Sequence, residues 1–199
     1  MTPFIVGIGG TTSRDSSTES AINVALTAAR THGARTRLFG SEILSTLPHY
    51  APGAVDRSST ARELVDAVRA ADGLIFASPG YHGSVSGLVK NGIDYIEETA
   101  SDARTYLDGL PVGLIVTAYG WQAIGSTLAT LRSIVHGLRG WPTPLGAGVK
   151  AASGLFADGA CTDSTVSGQL ELVGQQVVGF AQLRRRKPAV MLTGRSDNN

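Results

Sequence analysis

Two segments of the chain hold the residues whose types and spacing could do chemistry. The first, residues 9–18 (GGTTSRDSST), is rich in glycine and in hydroxyl side chains. The second, residues 78–84 (SPGYHGS), combines a proline, two glycines and a tyrosine. Each follows a short apolar run that is typical of a buried strand. Ligands of open α/β sheets bind at the carboxyl ends of the strands, so both segments are candidate binding loops.

The first segment suits a single terminal phosphate. Its six hydroxyl side chains can donate to phosphate oxygens, and the helix pattern that follows supplies free N–H groups and a favourable dipole. A dinucleotide-binding chain would read G-x-G-x-x-G here, but Gly7 and Gly9 are followed by Thr12 in place of the third glycine. Arg14 would add positive charge. The segment therefore predicts a mononucleotide site. The candidate phosphate contacts are Thr11, Ser13, Arg14, Ser16, Ser17 and Thr18.

An ordinary helix cap is the alternative for the first segment. Ser16 followed by Glu19, or Ser17 followed by Ser20, has the three-residue spacing of a capping box. Capping needs only one or two hydroxyls, whereas six are present. The excess favours phosphate binding over capping alone.

The second segment predicts one wall of a site for a flat ring. Pro79 fixes φ and Gly80 permits a tight turn, so backbone N–H groups can face the polar edge of a ring while Tyr81 packs near it. The wall continues through His82, Gly83 and Ser84. A phosphate site beside such a wall indicates a nucleotide-like cofactor, of which a flavin fits best.

The elements that must position these loops alternate between strands and helices. Short β-branched runs predict strands at residues 4–9, 36–39, 73–78, 111–117 and 144–149. Apolar residues at helical spacing predict helices at residues 18–31, 60–71, 86–98, 126–138 and 164–183. Residues 45–59 and 118–125 predict loops. This alternation predicts a three-layer α/β fold, with a five-stranded parallel sheet in the flavodoxin-like order and helices on both faces.

Smaller features of the sequence predict ordinary surface contacts. Lys90 and Asp94 lie four residues apart on a predicted helix and predict an ion pair, with Asn91 as a cap or a contact to a neighbouring chain. Residues 184–186 (RRR) predict the solvated end of the last helix, where cations are favourable.

Composition limits the partners and the compartment. One domain is expected over residues 1–188, followed by a flexible tail at 189–199. Lys and Arg total 17 against 16 Asp and Glu, and a net charge of +1 provides no field that would attract nucleic acid or an anionic membrane. Cys161 is the single cysteine, which excludes an internal disulfide and a cysteine-clustered metal site. No leader-like segment or membrane-length apolar run is present, so we expect a soluble, cytoplasmic protein that holds no metal.

The chain resembles the NADPH-dependent FMN reductase family of flavodoxin-like proteins over roughly residues 4–139. The resemblance is carried by residues 9–12 (GGTT), 16–19 (SSTE) and, most specifically, 78–95 (SPGYHGSVSGLVKNGIDY). It departs at residues 13–15 (SRD), where members usually read R-P-G.

The resemblance implies a cofactor, a reaction and an assembly. FMN would be bound with its phosphate in the first loop and its ring against the loops after the third and fourth strands, where Ala118, Tyr119 and Gly120 would be contacts. A hydride would pass from NADPH or NADH through flavin N5 to free flavin, a quinone or another small acceptor. Because hydride transfer needs orientation more than an acid or a base, no side chain is expected to be catalytic and His82 is expected to be a contact only. The family also implies a homodimer or tetramer, to which Tyr106, Leu107 and Leu110 would contribute.

Three other functions stay open. An electron-carrying flavodoxin would normally be strongly acidic, which the net charge of +1 argues against. A flavoprotein with a specific biosynthetic substrate is kept open by the bulky Tyr119 and Trp121, and Trp121 would be either a stacking surface or a subunit contact. The third is a binding or regulatory domain without redox chemistry.

Overall fold

The computed structural model describes residues 2–13, 16–53, 58–157 and 159–186. Its strands are β1 (Phe4–Gly9), β2 (Arg35–Phe39), β3 (Gly73–Tyr81), β4 (Ser84–Val85), β5 (Pro111–Ala118), β6 (Trp141–Lys150), β7 (Phe156–Ala157) and β8 (Ala160–Cys161). Five strands form the parallel sheet in the order β2-β1-β3-β5-β6, which is the flavodoxin-like order. The short β4 pairs antiparallel with the end of β3, and β7 pairs antiparallel with β8. The predicted fold is therefore confirmed.

Helices cover both faces of the sheet. They are α1 (Ser17–Thr31), α2 (Ser41–Leu44), α3 (Ser59–Ala70), α4 (Gly87–Asp94), α5 (Trp121–Gly137) and α6 (Ser164–Arg186). The apolar faces of α1 and α6 pack with one side of the sheet, and those of α3, α4 and α5 pack with the other. The central strands β3 and β5 are buried on both sides, which explains their unbroken apolar runs.

Glycine allows α6 to pack very close to its neighbours. A Cβ on Gly174 would lie 2.1 Å from the carbonyl oxygen of Ala25 in α1. A Cβ on Gly113 in β5 would lie 2.6 Å from Val173 Cγ1. Only a residue without a side chain fits at either point. The position of α1, whose first turn follows the first candidate loop, thus depends on α6.

The reversal after β3 differs from the prediction. The predicted tight turn at Pro79 and Gly80 is wrong, because β3 continues through both residues to Tyr81. The chain reverses instead at His82 and Gly83, with φ values of 52° and 80°. Two successive residues at positive φ between paired strands form the type I′ turn, whose twist matches that of the strands.

Two helix boundaries also differ. Helix α5 begins at Trp121, so the predicted loop at residues 118–125 shortens to Tyr119 and Gly120 between the two elements. The helix predicted at residues 86–98 is α-helical only to Asp94 and continues as a 3₁₀ turn at Tyr95–Thr99.

Asn91 holds the long loop that precedes α3. Its Oδ1 accepts a hydrogen bond from the backbone N–H of Tyr50 at 2.9 Å, and its Nδ2 donates to the carbonyl oxygen of Pro48 at 2.9 Å. The expected role as a helix cap is therefore wrong. The predicted ion pair between Lys90 and Asp94 is confirmed, with 2.5 Å between Nζ and Oδ1.

Two further predictions differ from the structure. Arg185 is paired with Asp72 at 2.9 Å, so it is not simply a solvated residue at the helix end. Leu107 and Leu110 are fully buried within the chain and are not available to another subunit. Tyr106 is half-buried.

In the described ranges, no helix combines the length and the apolar character needed to cross a membrane. The predicted tail at residues 189–199 lies outside those ranges.

Candidate functional site

The carboxyl ends of β1, β3 and β5 bring the two predicted loops to one edge of the sheet. Gly9 is in register with Ala77, and Pro79 is in register with Thr117. The chain leaves β1 toward β2 and leaves β3 toward β5, so the strand order reverses between β1 and β3. A crevice opens at such a point and is the usual ligand site of open α/β sheets. A Cβ on Gly9 would lie 2.3 Å from the carbonyl oxygen of Ala77, so glycine lets the strands meet there.

The first turn of α1 presents backbone N–H groups at the edge of this crevice. Ser16 is the N-cap, and its Oγ accepts from the N–H of Glu19 at 3.2 Å. The N–H of Ser20 donates to the carbonyl oxygen of Ser16 at 2.9 Å and begins the helical pattern. The N–H groups of Ser17 and Thr18 therefore precede the helical hydrogen bonds and face the end of the helix. Backbone donors at a helix N-terminus are well suited to an anion.

The loop before α1 carries the remaining predicted phosphate contacts. Thr11 is buried and its Oγ1 accepts from the N–H of Ser13 at 3.1 Å, which fixes a local turn. Ser13 is exposed at this turn. The predicted contact Arg14 lies outside the described residues.

The hydroxyl of Thr18 faces the sheet rather than the loop. Its Oγ1 lies 2.6 Å from Oγ1 of Thr117, and both side chains are buried. This pair links the first turn of α1 to the end of β5. Thr18 stays a predicted phosphate contact, and the group it can offer is its backbone N–H.

Glu19 is a residue of this edge that the sequence did not assign. Its carboxylate accepts from the N–H of Ser41 at 3.0 Å and from the Oγ of Ser41 at 2.5 Å. The capping box, which is the alternative for this segment, is thus only half formed: Ser16 accepts from the N–H of Glu19, but the Glu19 carboxylate bonds at the start of α2. The one signal in the sequence was the motif at residues 16–19 (SSTE), which predicts the cap and not its distant partner.

The hairpin of β3 and β4 forms the second wall. Pro79 is buried, and Gly80 pairs with Val85. A Cβ on Gly80 would lie 3.0 Å from Thr127 Oγ1 in α5. Tyr81 is 52% exposed at the outer end of the wall, followed by the turn. The turn residues are His82 and Gly83, and Ser84 opens β4.

Aromatic rings surround the end of β5. Ala118 is half-buried and Tyr119 is 86% exposed. Gly120 is the N-cap of α5 and has no side chain with which to cap it. Trp121 is 63% exposed. Its ring reaches β6: a Cβ added to Gly148 would lie 3.8 Å from Trp121 Cζ3.

The residues present fit FMN. Ser16 and Ser17 and the backbone N–H groups of the first turn lie at the N-terminus of α1, where a phosphate can be bound. Tyr81 ends β3 and Tyr119 directly follows the neighbouring β5, and both rings are exposed, as a flat heterocycle requires. The donors and the rings lie at one edge of the sheet, in the arrangement of a mononucleotide site on a flavodoxin-like fold.

Solved structures share this architecture. The chain is similar to the apo form of the NADH:FMN oxidoreductase EMOB, with a TM-score of 0.69 and 24% identity over 94% of this chain and 92% of that one. It is also similar to a flavodoxin from the domain Archaea, with a TM-score of 0.61 and 7% identity over 92% of this chain and 99% of that one. At these identities the likeness shows the fold alone, which is flavodoxin-like.

Sequence comparison defines the family more narrowly. The model of the NADPH-dependent FMN reductase family matches residues 3–156, and the chain belongs to this family of FMN-dependent oxidoreductases. An FMN-dependent NADPH-azoreductase from Staphylococcus haemolyticus (strain JCSC1435) is 37% identical over 83 residues. That match spans 42% of this chain and 40% of the curated relative. The family predicted from the two loops is confirmed.

Proposed function

We propose that this chain is an FMN-dependent NAD(P)H oxidoreductase that passes reducing equivalents from NADPH or NADH to a small acceptor. The observation that carries the proposal is the N-terminus of α1 at the switch point between β1 and β3, beside the wall of the β3–β4 hairpin. Membership of the FMN reductase family supports the choice of cofactor.

The proposed cofactor contacts fall into two groups. The phosphate would be held by Thr11, Ser13, Arg14, Ser16, Ser17 and Thr18. The ring would be held by Pro79, Gly80, Tyr81, His82, Gly83, Ser84, Ala118, Tyr119 and Gly120. When bound, FMN supplies the hydride chemistry of the reaction. The side chains of this chain then bind and orient, and none is proposed as an acid or a base.

The proposed acceptor is a flat organic molecule. Tyr119 and Trp121 are large, exposed and uncharged at the mouth of the site, which suits stacking with an aromatic acceptor. Free flavin and quinones have this shape. An azo compound is a further candidate, because the staphylococcal relative is named an azoreductase.

We also propose a homodimer or tetramer in the cytoplasm. Trp141, Phe180 and Leu183 are exposed apolar side chains outside the site, and association would remove such surface from water. Because Leu107 and Leu110 are buried within the chain, the contact would have to use other residues. The single cysteine is consistent with a reducing compartment. Light scattering during gel filtration measures the subunit number.

Steady-state kinetics test the proposed activity. The purified protein is loaded with FMN and mixed with NADPH or NADH, and with free flavin, a quinone or an azo dye as the acceptor. We expect NADPH or NADH to be oxidised at a rate that depends on both FMN and the acceptor. Protein that binds no FMN, or that consumes neither nicotinamide with any of these acceptors, would overturn the proposal.

A further inference from the structure

The Glu19 side chain connects three segments of the phosphate-binding edge. It belongs to the first turn of α1, and its Oε2 accepts both hydrogen bonds from Ser41 at the start of α2. Two glycines, Gly10 in the phosphate loop and Gly40 before α2, lie against the same carboxylate. A Cβ on Gly10 would lie 2.9 Å from Oε2, and one on Gly40 would lie 3.0 Å from Oε1.

Gly10 is the residue through which this contact reaches the phosphate loop. Its φ is +145°, a conformation that other residues rarely adopt, and a Cβ there would also lie 2.8 Å from the N–H nitrogen of Ser41. The loop at this point is enclosed by the carboxylate on one side and by the backbone of α2 on the other. The path of the chain from Gly10 into the predicted phosphate contacts is therefore set by the Glu19–Ser41 contact.

We propose that Glu19 is a positioning residue for the phosphate of FMN, which acts by fixing the phosphate loop against Ser41. The inference rests on the proposed function, because it concerns the same cofactor site. Its consequence is selectivity: Glu19 increases affinity for FMN and leaves affinity for riboflavin, which has no phosphate, unchanged.

Charge alone predicts the opposite effect. A carboxylate in the first turn of α1 lies near the site of a phosphate dianion, and like charges repel. Removing Glu19 would on that ground tighten the binding of FMN. Removing a positioning contact loosens it, because the donors of the loop lose their arrangement. The two accounts differ in the sign of the change.

Flavin affinities of matched variants test the proposal. Dissociation constants for FMN and for riboflavin are measured by fluorescence quenching with wild type, Glu19→Ala, Glu19→Gln, Ser41→Ala and Glu42→Ala. Glu42 is the exposed acid next to Ser41 and controls for the loss of one negative charge at this edge. The amide of Glu19→Gln keeps an oxygen that can accept both Ser41 hydrogen bonds, removes the negative charge and replaces the other oxygen by an NH2 group.

We expect Glu19→Ala to weaken FMN binding about tenfold or more, which is the size expected for lost hydrogen bonds to a charged group. The same variant should change riboflavin binding less than about twofold. Glu19→Gln should bind FMN as wild type does or more tightly. Ser41→Ala should weaken FMN binding by a smaller factor, and it replaces Glu19→Ala as the test if that variant does not fold.

Other outcomes would overturn the inference. FMN binding that tightens in Glu19→Ala supports the charge account, and equal losses for FMN and riboflavin indicate a general structural role. Glu42→Ala with the same loss as Glu19→Ala would also contradict it. If wild type binds neither flavin, the proposed function itself is refuted. If wild type binds FMN and Glu19→Ala keeps the same preference for FMN over riboflavin, only the positioning role is refuted.

Discussion

The contact between α6 and α1 provides a prediction whose sign can be worked out from two glycines of one helix. Gly174 faces α1, and a Cβ there would meet the carbonyl oxygen of Ala25 at 2.1 Å. Gly179 has no atom within 4 Å of such a Cβ. Alanine is favoured over glycine inside a helix by about 1 kcal/mol, so both substitutions gain the same helix propensity. Only Gly174→Ala has to force two helices apart.

The clash at Gly174 should outweigh the gain in propensity. Overpacking typically costs 1–3 kcal/mol, occasionally more, and the Ala25 carbonyl belongs to backbone that cannot change rotamer. An approach of 2.1 Å to backbone puts the cost at the upper end of that range, about 3 kcal/mol, so after the propensity gain of about 1 kcal/mol Gly174→Ala should lower the free energy of unfolding by about 2 kcal/mol. That is a fall in Tm of about 4–8 °C for a chain of this length. Gly179→Ala should raise Tm by about 2–4 °C, because it gains propensity and meets nothing.

Thermal and urea unfolding followed by far-UV circular dichroism measure both variants against wild type. Because α6 positions α1, Gly174→Ala should also weaken FMN binding, whereas Gly179→Ala should leave it unchanged. Equal shifts of Tm in the two variants, or a Gly174→Ala protein as stable as wild type, would refute the packing on which the position of the phosphate loop depends.

Three other predictions concern the turn, a buried hydroxyl pair and one tyrosine. His82→Asn should stabilise the fold by up to about 1 kcal/mol, since His82 holds a positive φ in a type I′ turn that favours Asn-Gly; a lower urea midpoint than wild type would count against this. Thr18→Val or Thr117→Val alone should cost about 1–3 kcal/mol by leaving one buried hydroxyl unpaired, and the double variant should recover part of the loss; additive losses in a double-mutant cycle would contradict the pair. Burial, and then the hydrogen bond and charge of Glu98, raise the pKa of Tyr50 to about 12. Its contribution to stability is therefore complete below pH 10, the ordinary value, and is lost as the pH rises through 12; ultraviolet titration of wild type against Tyr50→Phe checks this, and ionisation of Tyr50 near pH 10 in the folded protein would refute it.

The strands of the sheet could be predicted from the sequence because their cause is local. The run at Phe4–Gly9 and the apolar residues of β3 and β5 are short, β-branched and bounded by turn residues. The extension of β3 through Pro79 could not be predicted, because a proline usually ends a central strand. The pairing of β3 with β1 ends at Ala77, so beyond that point one side of β3 needs no donor and a proline is tolerated.

The start of α5 could not be predicted from the sequence either. Its N-cap is Gly120, which offers no capping side chain, so no local signal marks the boundary at Trp121. The expected loop of eight residues is therefore short, and Trp121 belongs to a helix.

The two candidate loops were found because glycines and hydroxyls mark them in the sequence, but the way the first loop is held was not. The Glu19–Ser41 contact joins residues 22 positions apart, and the Thr18–Thr117 contact joins residues 99 positions apart. Contacts of this kind arise only when α1, α2 and β5 meet at one edge of the sheet. The spacing of residues along the chain carries no record of them.

We propose that FMN binds at the N-terminus of α1 and is reduced there by NADPH or NADH. The most direct measurement is the visible spectrum of the FMN-loaded protein under anaerobic conditions before and after addition of NADPH, with mass spectrometry of the released cofactor. We predict a protein-bound flavin band, release of FMN, bleaching of the band by NADPH or NADH, and its return when a quinone is added. A protein that binds no flavin, or a bound flavin band that neither nicotinamide bleaches, would contradict the account.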